Sequence, residues 1–367
     1  MAKKKITFPR PTAADFYNIA RQRVHNYFKE TGKSKHANAQ MVLKTIAMIA
    51  IYMVPYGLLL SGLVTNFWIS LILWLMMGFG MAGLGLSVMH DANHGAYSKN
   101  RKMNKFIGRI IWFIGGSDIN WQIQHNVLHH SFTNIDEMDE DIETVSILRF
   151  SPHAEHKKIQ RFQHIYAWFF YSLMTIMWAT AKDFKQLIRF EKNNLIAAQK
   201  RTFKGLLAEL IVVKIIYYII FLVLPMIFLP LVWWQVLIGF IVMHFLAGLI
   251  LAAIFQPAHV MPNTAFPLPS DQGDMENKWA IHQLLTTVNY APNSRIFSWY
   301  VGGLNYQVEH HLFPNVCHVH YKKISEIIKK TAEEFNLPYY SEPTFLSAIQ
   351  QHTKFLKSLG QGLSYAS

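Results

Sequence analysis

The chain has 367 residues, 51% of them hydrophobic, 14% aromatic and only 16% charged. A soluble domain carries about a quarter charged residues, and the apolar residues here fall in long blocks, which excludes one large soluble core in favour of bilayer spans. The net charge of +13 is absent from two long gaps, Lys44 to Lys99 and Lys214 to Lys278, so it reads as membrane topology rather than as a nucleic-acid surface. Basic residues confined to the tails and two polar segments mark cytoplasmic regions, and the partner of that charge is the anionic leaflet.

Residues 1–40 read as a cytoplasmic N-terminal tail with a helix around Ala13–Lys29. Lys3, Lys4, Lys5, Arg10, Arg21 and Arg23 lie here and no apolar stretch follows closely, so no cleavable signal peptide is expected. The next block is nearly uncharged and too long for one span. It divides into spans of about 41–62 and 67–89, with Ser61-Gly62 and Thr65-Asn66 at the loop. Gly78, Gly80, Gly83 and Gly85 favour close helix packing late in the second span.

Residues 90–204 are mostly polar. Phe106–Gly116 is apolar but too short to cross, so it lies at the interface or re-enters. The acidic run Asp136, Glu137, Asp139, Glu140, Asp141 and Glu143 reads as a solvated loop. His164–Ala181 is rich in aromatic residues and flanked by charge, like an interfacial helix. Two more spans follow at about 206–228 and 231–254, with Pro225 and Pro230 at their turn. A membrane domain therefore covers 41–320, and 321–367 forms a C-terminal cytoplasmic helical region. Ile324, Ile327, Ile328 and Ala332 recur there at helical spacing. Cys317, the single cysteine, excludes a disulfide or thiol pair and reads as a small buried packing residue. Redox chemistry must then come from a bound metal or cofactor.

Seven of the 18 histidines form three clusters: His90 and His94; His125, His129 and His130; His310 and His311. Imidazole is the commonest metal-ligand side chain and suits iron, copper and zinc. Residues at i and i+4 share a helix face, about 5–6 Å apart at Cβ, so His90/His94 and His125/His129 each address one metal region. An adjacent pair diverges by about 100° on a helix, so His129/His130 and His310/His311 address two metals. Seven ligands oversupply one centre, and the shortage of acidic residues within the clusters separates them from carboxylate-rich di-iron bundles. All clusters can meet only on one side of the bilayer. Parity then requires four spans, with His164–Ala181 at the surface. The expected fold is an all-α integral membrane protein: four transmembrane helices and a cytoplasmic helical cap carrying a histidine-rich di-metal site. His25, His36, His153, His156 and His352 read as ordinary satisfied or surface histidines, and His244, inside the fourth span, fits packing and function equally.

His90-Asp91-Ala92-Asn93-His94, His125 through His129-His130, and Gln307 through His310-His311 resemble the three histidine boxes of membrane fatty acid desaturases. Gln307 at the head of the third box resembles the front-end, Δ6-type or linoleoyl-type enzymes, which insert a cis double bond between the carboxyl end and an existing double bond. The resemblance implies two iron ions as cofactor and O₂ as co-substrate. The implied metal ligands are His90, His94, His125, His129, His130, His310 and His311, with His259 as a further ligand. Gln307 stands where many relatives have a ligand histidine, and Asn289 falls in a stretch near the catalytic centre, so both are cofactor-binding candidates. Trp279, Trp299, Tyr300 and Tyr306 fit an acyl tunnel or core packing equally. No His-Pro dipeptide occurs and the N-terminal tail is short, which departs from relatives with a fused cytochrome b5 domain. Electrons are then expected from a separate ferredoxin or cytochrome b5-type donor, and the substrate from membrane lipid or acyl-CoA. The implied location is the bacterial inner membrane with a cytoplasmic active site.

Two other readings use the same residues. A fatty acyl or alkane hydroxylase shares the metal site and differs in product. A membrane metal transporter would carry its ligands near midplane along the spans, whereas these lie at span ends and in polar segments.

Overall fold

The computed structural model describes residues 5–143 and 146–363; Lys3 and Lys4 of the basic tail lie outside the described residues. Among the described residues, four helices are long and apolar enough to cross a membrane: Ala39–Leu60, Phe67–Asn93, Phe203–Phe228 and Trp233–His259. In lipid every backbone group must be satisfied within the segment, which a helix achieves. Asn66 starts the second helix by accepting from the backbone N–H groups of Trp68 and Ile69. Its later part is π-helical over Leu84–Met89 and then delivers His90.

The chain forms two compact units. One comprises Ala39–Ile123 and Trp168–Ala252, the other Met1–Asn38, Gln124–Ala167 and Ala253–Ser367. In the first, glycine sets how closely the helices approach. A Cβ on Gly80 would lie 2.7 Å from the Tyr52 backbone nitrogen, and one on Gly78 would lie 2.6 Å from the Met243 carbonyl oxygen. Tyr52 and Tyr56 donate their phenolic protons to the carbonyls of Phe113 and Ile220 at 2.7 and 2.6 Å.

Lys44 and Lys214 lie inside spans and are buried, which corrects the reading that confines every basic residue to tails and polar segments. The Lys214 ammonium has three protons and meets three acceptors: Gly115 O at 2.6 Å, Trp178 O at 2.5 Å and Asp183 Oδ2 at 2.6 Å. A fully bonded, paired ammonium avoids the cost of a bare charge in lipid. Lys214→Ala strands the Asp183 carboxylate and should cost about 3–5 kcal/mol, measured by unfolding in detergent. Lys214→Met with Asp183→Leu should recover most of it; a loss under about 1 kcal/mol for the single variant would contradict this.

The His164–Ala181 region is not among the four candidate spans. Helix Gln163–Ser172 breaks at Leu173 and resumes as Met174–Met177 and a π turn, Trp178–Lys182. Ile165 and Phe169 are exposed while Tyr171 and Trp178 are buried. His244 bonds through both ring nitrogens, to Tyr217 Oη at 2.7 Å and Thr175 Oγ1 at 3.0 Å, as a satisfied packing histidine does.

In the second unit, Asp15 caps helix Phe16–Thr31 and Gly32 ends it at φ 62°, a conformation suited to glycine. This helix buries Phe16, Ala20 and Val24 in a core with Leu284, Leu312, Ile324, Ile328 and Ala332. Each large apolar side chain so buried contributes about 1.5–3 kcal/mol. Ile324, Ile328 and Ala332 lie on helix Tyr321–Glu334, whose fourth apolar residue, Ile327, packs at the core edge. The short parallel pair Asn289–Tyr290 with Ser341–Glu342 anchors the backbone beside Asn289.

A candidate metal centre of six histidines

The second histidine box lies on a π-helix, Gln122–His129, followed by a short α-helical turn at His130. On an α-helix His125 and His130 would point well apart, at about 100° per residue. The i→i+5 bonding of a π-helix turns residues five apart toward the same side. His125 Nε2 and His130 Nε2 are accordingly 3.2 Å apart. His310, from helix Gln307–Leu312, brings its Nε2 to 3.0 Å from His130 Nε2 and 3.4 Å from His125 Nε2.

His129 turns the other way. Its ring lies 4.7 Å from that of His259, at the end of the fourth span, and 4.9 Å from that of His311. One candidate ligand atom from each of these three falls within 4.8 Å of the others. By their shortest Nε2 contacts His125, His130 and His310 form one group, and His129, His259 and His311 form a second. His130, His310 and His311 also place one ligand atom each within 4.8 Å of the others and join the two. His311 also stacks on His130 at 4.4 Å, between the groups.

Three Nε2 atoms 3.0–3.4 Å apart cannot all be reconciled by protons. Each N–H points at one neighbour, which leaves at least one contact between like groups. Imidazole nitrogens bound to one ion at about 2.0–2.1 Å would show this separation, so the donor set fits a cation. His259 points the same way. Its Nδ1 bonds the Thr286 carbonyl at 3.1 Å, while its buried Nε2 faces the Gln307 amide without a hydrogen bond of good geometry.

Partners on Nδ1 orient the rings, the arrangement metal-bound histidines use to fix a tautomer. Asp139 takes His129 Nδ1 at 3.0 Å and is completely buried. Gln283 Oε1 meets His311 Nδ1 at 2.8 Å, and Tyr321 Oη lies 3.4 Å from His310 Nδ1. Reading the acidic run as a solvated loop is therefore corrected at Asp139. Its oxygens also accept the backbone N–H groups of Asn134 and Asp141 at 2.9 and 3.0 Å. Burial opposes charge on His129, but Asp139 and Asp141 outweigh it and raise its pKa to about 9. His129 in turn holds Asp139 below the usual carboxylate range against the effect of burial.

Asn289 braces the third box. Its Oδ1 accepts the Val308 N–H at 2.9 Å, and its Nδ2 donates to Glu309 Oε2 at 2.8 Å and to Tyr339 Oη at 2.7 Å. Burial pushes Glu309 up to about 7 despite the bonds from Asn289 and Tyr339. Trp279 donates to the His130 carbonyl at 3.0 Å, while Tyr306 packs in the core and Trp299 is exposed. Cys317 is buried, as its size and polarity lead one to expect. Asp139, Gln283 and Tyr321 are the site residues that sequence reasoning missed; none carries a motif of its own.

His90 and His94 belong to the other unit. Their rings lie 4.7 Å apart, one helical turn from each other, and meet the Trp121 ring at 5.4 and 5.5 Å.

Among the described residues, four lipid-length helices and clusters of buried histidines define a membrane protein whose histidines could hold metal. The fatty acid desaturase family model matches residues 66–343, and the chain belongs to that family. It is 35% identical over 351 residues to the sn-1 linoleoyl-lipid 6-desaturase of Synechocystis sp., covering 94% of this chain and 96% of that protein. It is 34% identical to the enzyme of the same name from Arthrospira platensis, over 97% and 95% of the two chains. A further relative, the acyl-lipid (8-3)-desaturase of Physcomitrium patens, is 34% identical over 94% of this chain and 72% of its own. The chain is thus a membrane-bound oxidoreductase that desaturates fatty acyl chains.

Proposed function

We propose that this chain is a front-end desaturase that places a cis double bond at carbon 6 of an already unsaturated acyl chain such as linoleoyl, on a membrane lipid or acyl-CoA. The separation of six histidines into two groups is the observation that carries the metal part of this reading. Near-full-length similarity to two linoleoyl-lipid 6-desaturases supports the substrate.

In this reading His125, His130 and His310 hold one iron, and His129, His259 and His311 the other, with His90 and His94 completing the ligand set. Bound iron supplies the one-electron oxygen chemistry that an unactivated methylene demands. The chain's own residues prepare the site. Asp139, Gln283 and the Thr286 carbonyl hold Nδ1 of three histidines and leave Nε2 facing inward. Asn289 and Tyr339 fix Glu309 and with it the turn that carries His310 and His311. Gln307 presents a neutral amide beside His259 rather than another imidazole.

The overall reaction takes an acyl chain, O₂, two electrons and two protons to a cis-alkene and two waters. A separate ferredoxin or cytochrome b5-type protein provides the electrons. The active site faces the cytoplasm from the bacterial inner membrane, consistent with the basic residues that flank the spans.

The test is a fatty acid profile by gas chromatography–mass spectrometry, in a desaturase-poor bacterium co-expressing a donor and fed linoleic acid. A triene with its new bond at carbon 6 is expected. A triene with the new bond elsewhere would overturn the position, and a hydroxylated chain would overturn desaturation itself.

A further inference from the structure

From Gly95 to Ser117 the chain carries Lys99, Arg101, Lys102, Lys105 and Arg109 and no acidic residue. Arg101–Gly108 is an α-helix whose inner face buries Asn104 and Gly108. Its outer face exposes Met103 at 46% and Phe106 at 75%, among the exposed cations Arg101, Lys102 and Lys105. Arg101 and Lys102 occupy the first turn, where the helix dipole disfavours positive charge and favours an anion. Cations interleaved with exposed apolar side chains on a short helix, in a chain that spans the bilayer, mark an element lying in the headgroup region.

The next turn, Arg109–Ile114, leads into an apolar groove of about 330 Å³. Trp112 and Phe113 line it on one side; Ala208, Val212, Ile216 and Ile220 of the third span line it on the other. From Ala208 to Phe221 the groove follows the span for roughly 20 Å at about 1.5 Å per residue, longer than the hydrocarbon of one leaflet, about 15 Å. Val212 and Ile216 are half exposed on a helix that crosses the membrane, so acyl chains reach this groove laterally. The Arg109 guanidinium stacks on the Trp112 ring at 4.6 Å. Glu209, the acidic residue of the lining, is neutralised by Arg201 at 2.7 Å.

We propose that this segment and the third span form a binding site for an anionic phospholipid of the surrounding bilayer, distinct from the substrate. The acyl chain fills the groove, and the phosphate meets Arg109 and Lys105. The site adjoins the first histidine box. Asn93, between His90 and His94, donates to the Gly108 carbonyl at 3.2 Å and accepts from Gln122 at 2.9 Å. Lipid held on helix Arg101–Gly108 therefore braces the turn on which the box rests.

The experiment titrates the full chain in detergent with phosphatidylglycerol or phosphatidylcholine carrying brominated acyl chains, which quench tryptophan on contact. Quenching by the brominated phosphatidylglycerol should saturate at a lipid fraction about tenfold lower than with phosphatidylcholine, through the two cations. In Trp112→Phe most of that difference should disappear. Lys105→Gln with Arg109→Gln, the first exposed and the second half-buried, should abolish the preference while metal content is retained. If Trp112→Phe fails to fold, this pair still decides the matter. Equal quenching by both lipids would show ordinary bilayer solvation of the groove and overturn the proposal. So would a preference that survives the paired charge removal.

Discussion

His129→Ala is expected to reduce desaturation to background while the chain still inserts and folds. His129 sits between two kinds of partner: Asp139 on Nδ1, and the rings of His259 and His311 on its other side. Removing it deletes one of three imidazoles in one group and leaves Asp139, completely buried, without its cation. Some loss of stability therefore accompanies the loss of activity, and the two have to be measured separately. Membrane extraction and thermal unfolding report the fold, product analysis reports activity, and metal analysis reports the site. Full activity with normal folding would remove His129 from the ligand set. His352→Ala provides the contrast. His352 is equally buried and its Nδ1 lies 2.8 Å from the Val260 carbonyl oxygen, so His352→Ala should lower stability with no change in metal stoichiometry.

Asp139→Asn should lower metal affinity about 10–100-fold, the usual effect of losing a carboxylate behind a metal-bound histidine. A pH series separates two opposing consequences. In the metal-free protein His129 keeps its proton up to about pH 9 because Asp139 and Asp141 outweigh its burial. Metal must displace that proton, so the apparent affinity of the wild-type site rises with pH up to about 9 and levels off above it. The sign for stability is the reverse. A raised histidine pKa adds metal-free stability that is complete below the unfolded value of about 6.5 and is lost as pH rises through about 9. The variant should show a shallower dependence in both measurements, and its affinity deficit should be clearest above pH 9, where protons no longer compete. Identical affinity at that pH would contradict an orienting role for Asp139.

Much of this architecture is legible in the sequence because membranes impose simple rules. Long apolar blocks locate the four spans, and parity argues against the aromatic segment at His164 as a fifth. Lys214 escapes such reading because the carboxylate and carbonyls that neutralise it are far away in sequence. The split of His129 and His130 between two groups follows from adjacency alone. The meeting of His130 with His125 does not, since it depends on a π-helix whose hydrogen-bond register leaves no mark in composition. Asp139 is hidden for a different reason. Six acidic residues in eight positions describe a solvated loop, and only the fold shows that Asp139 and Glu140 are buried and that Asp139 meets His129. Gln283 and Tyr321 are invisible for the same cause, because their partners come from other elements.

The most direct test of the central claim is the metal content of the purified full-length chain, measured by mass spectrometry after expression with iron. Two histidine groups predict two iron ions per chain, with His130→Ala and His129→Ala each falling below two. A fully active preparation with one iron per chain, or with none, would contradict the two-metal site.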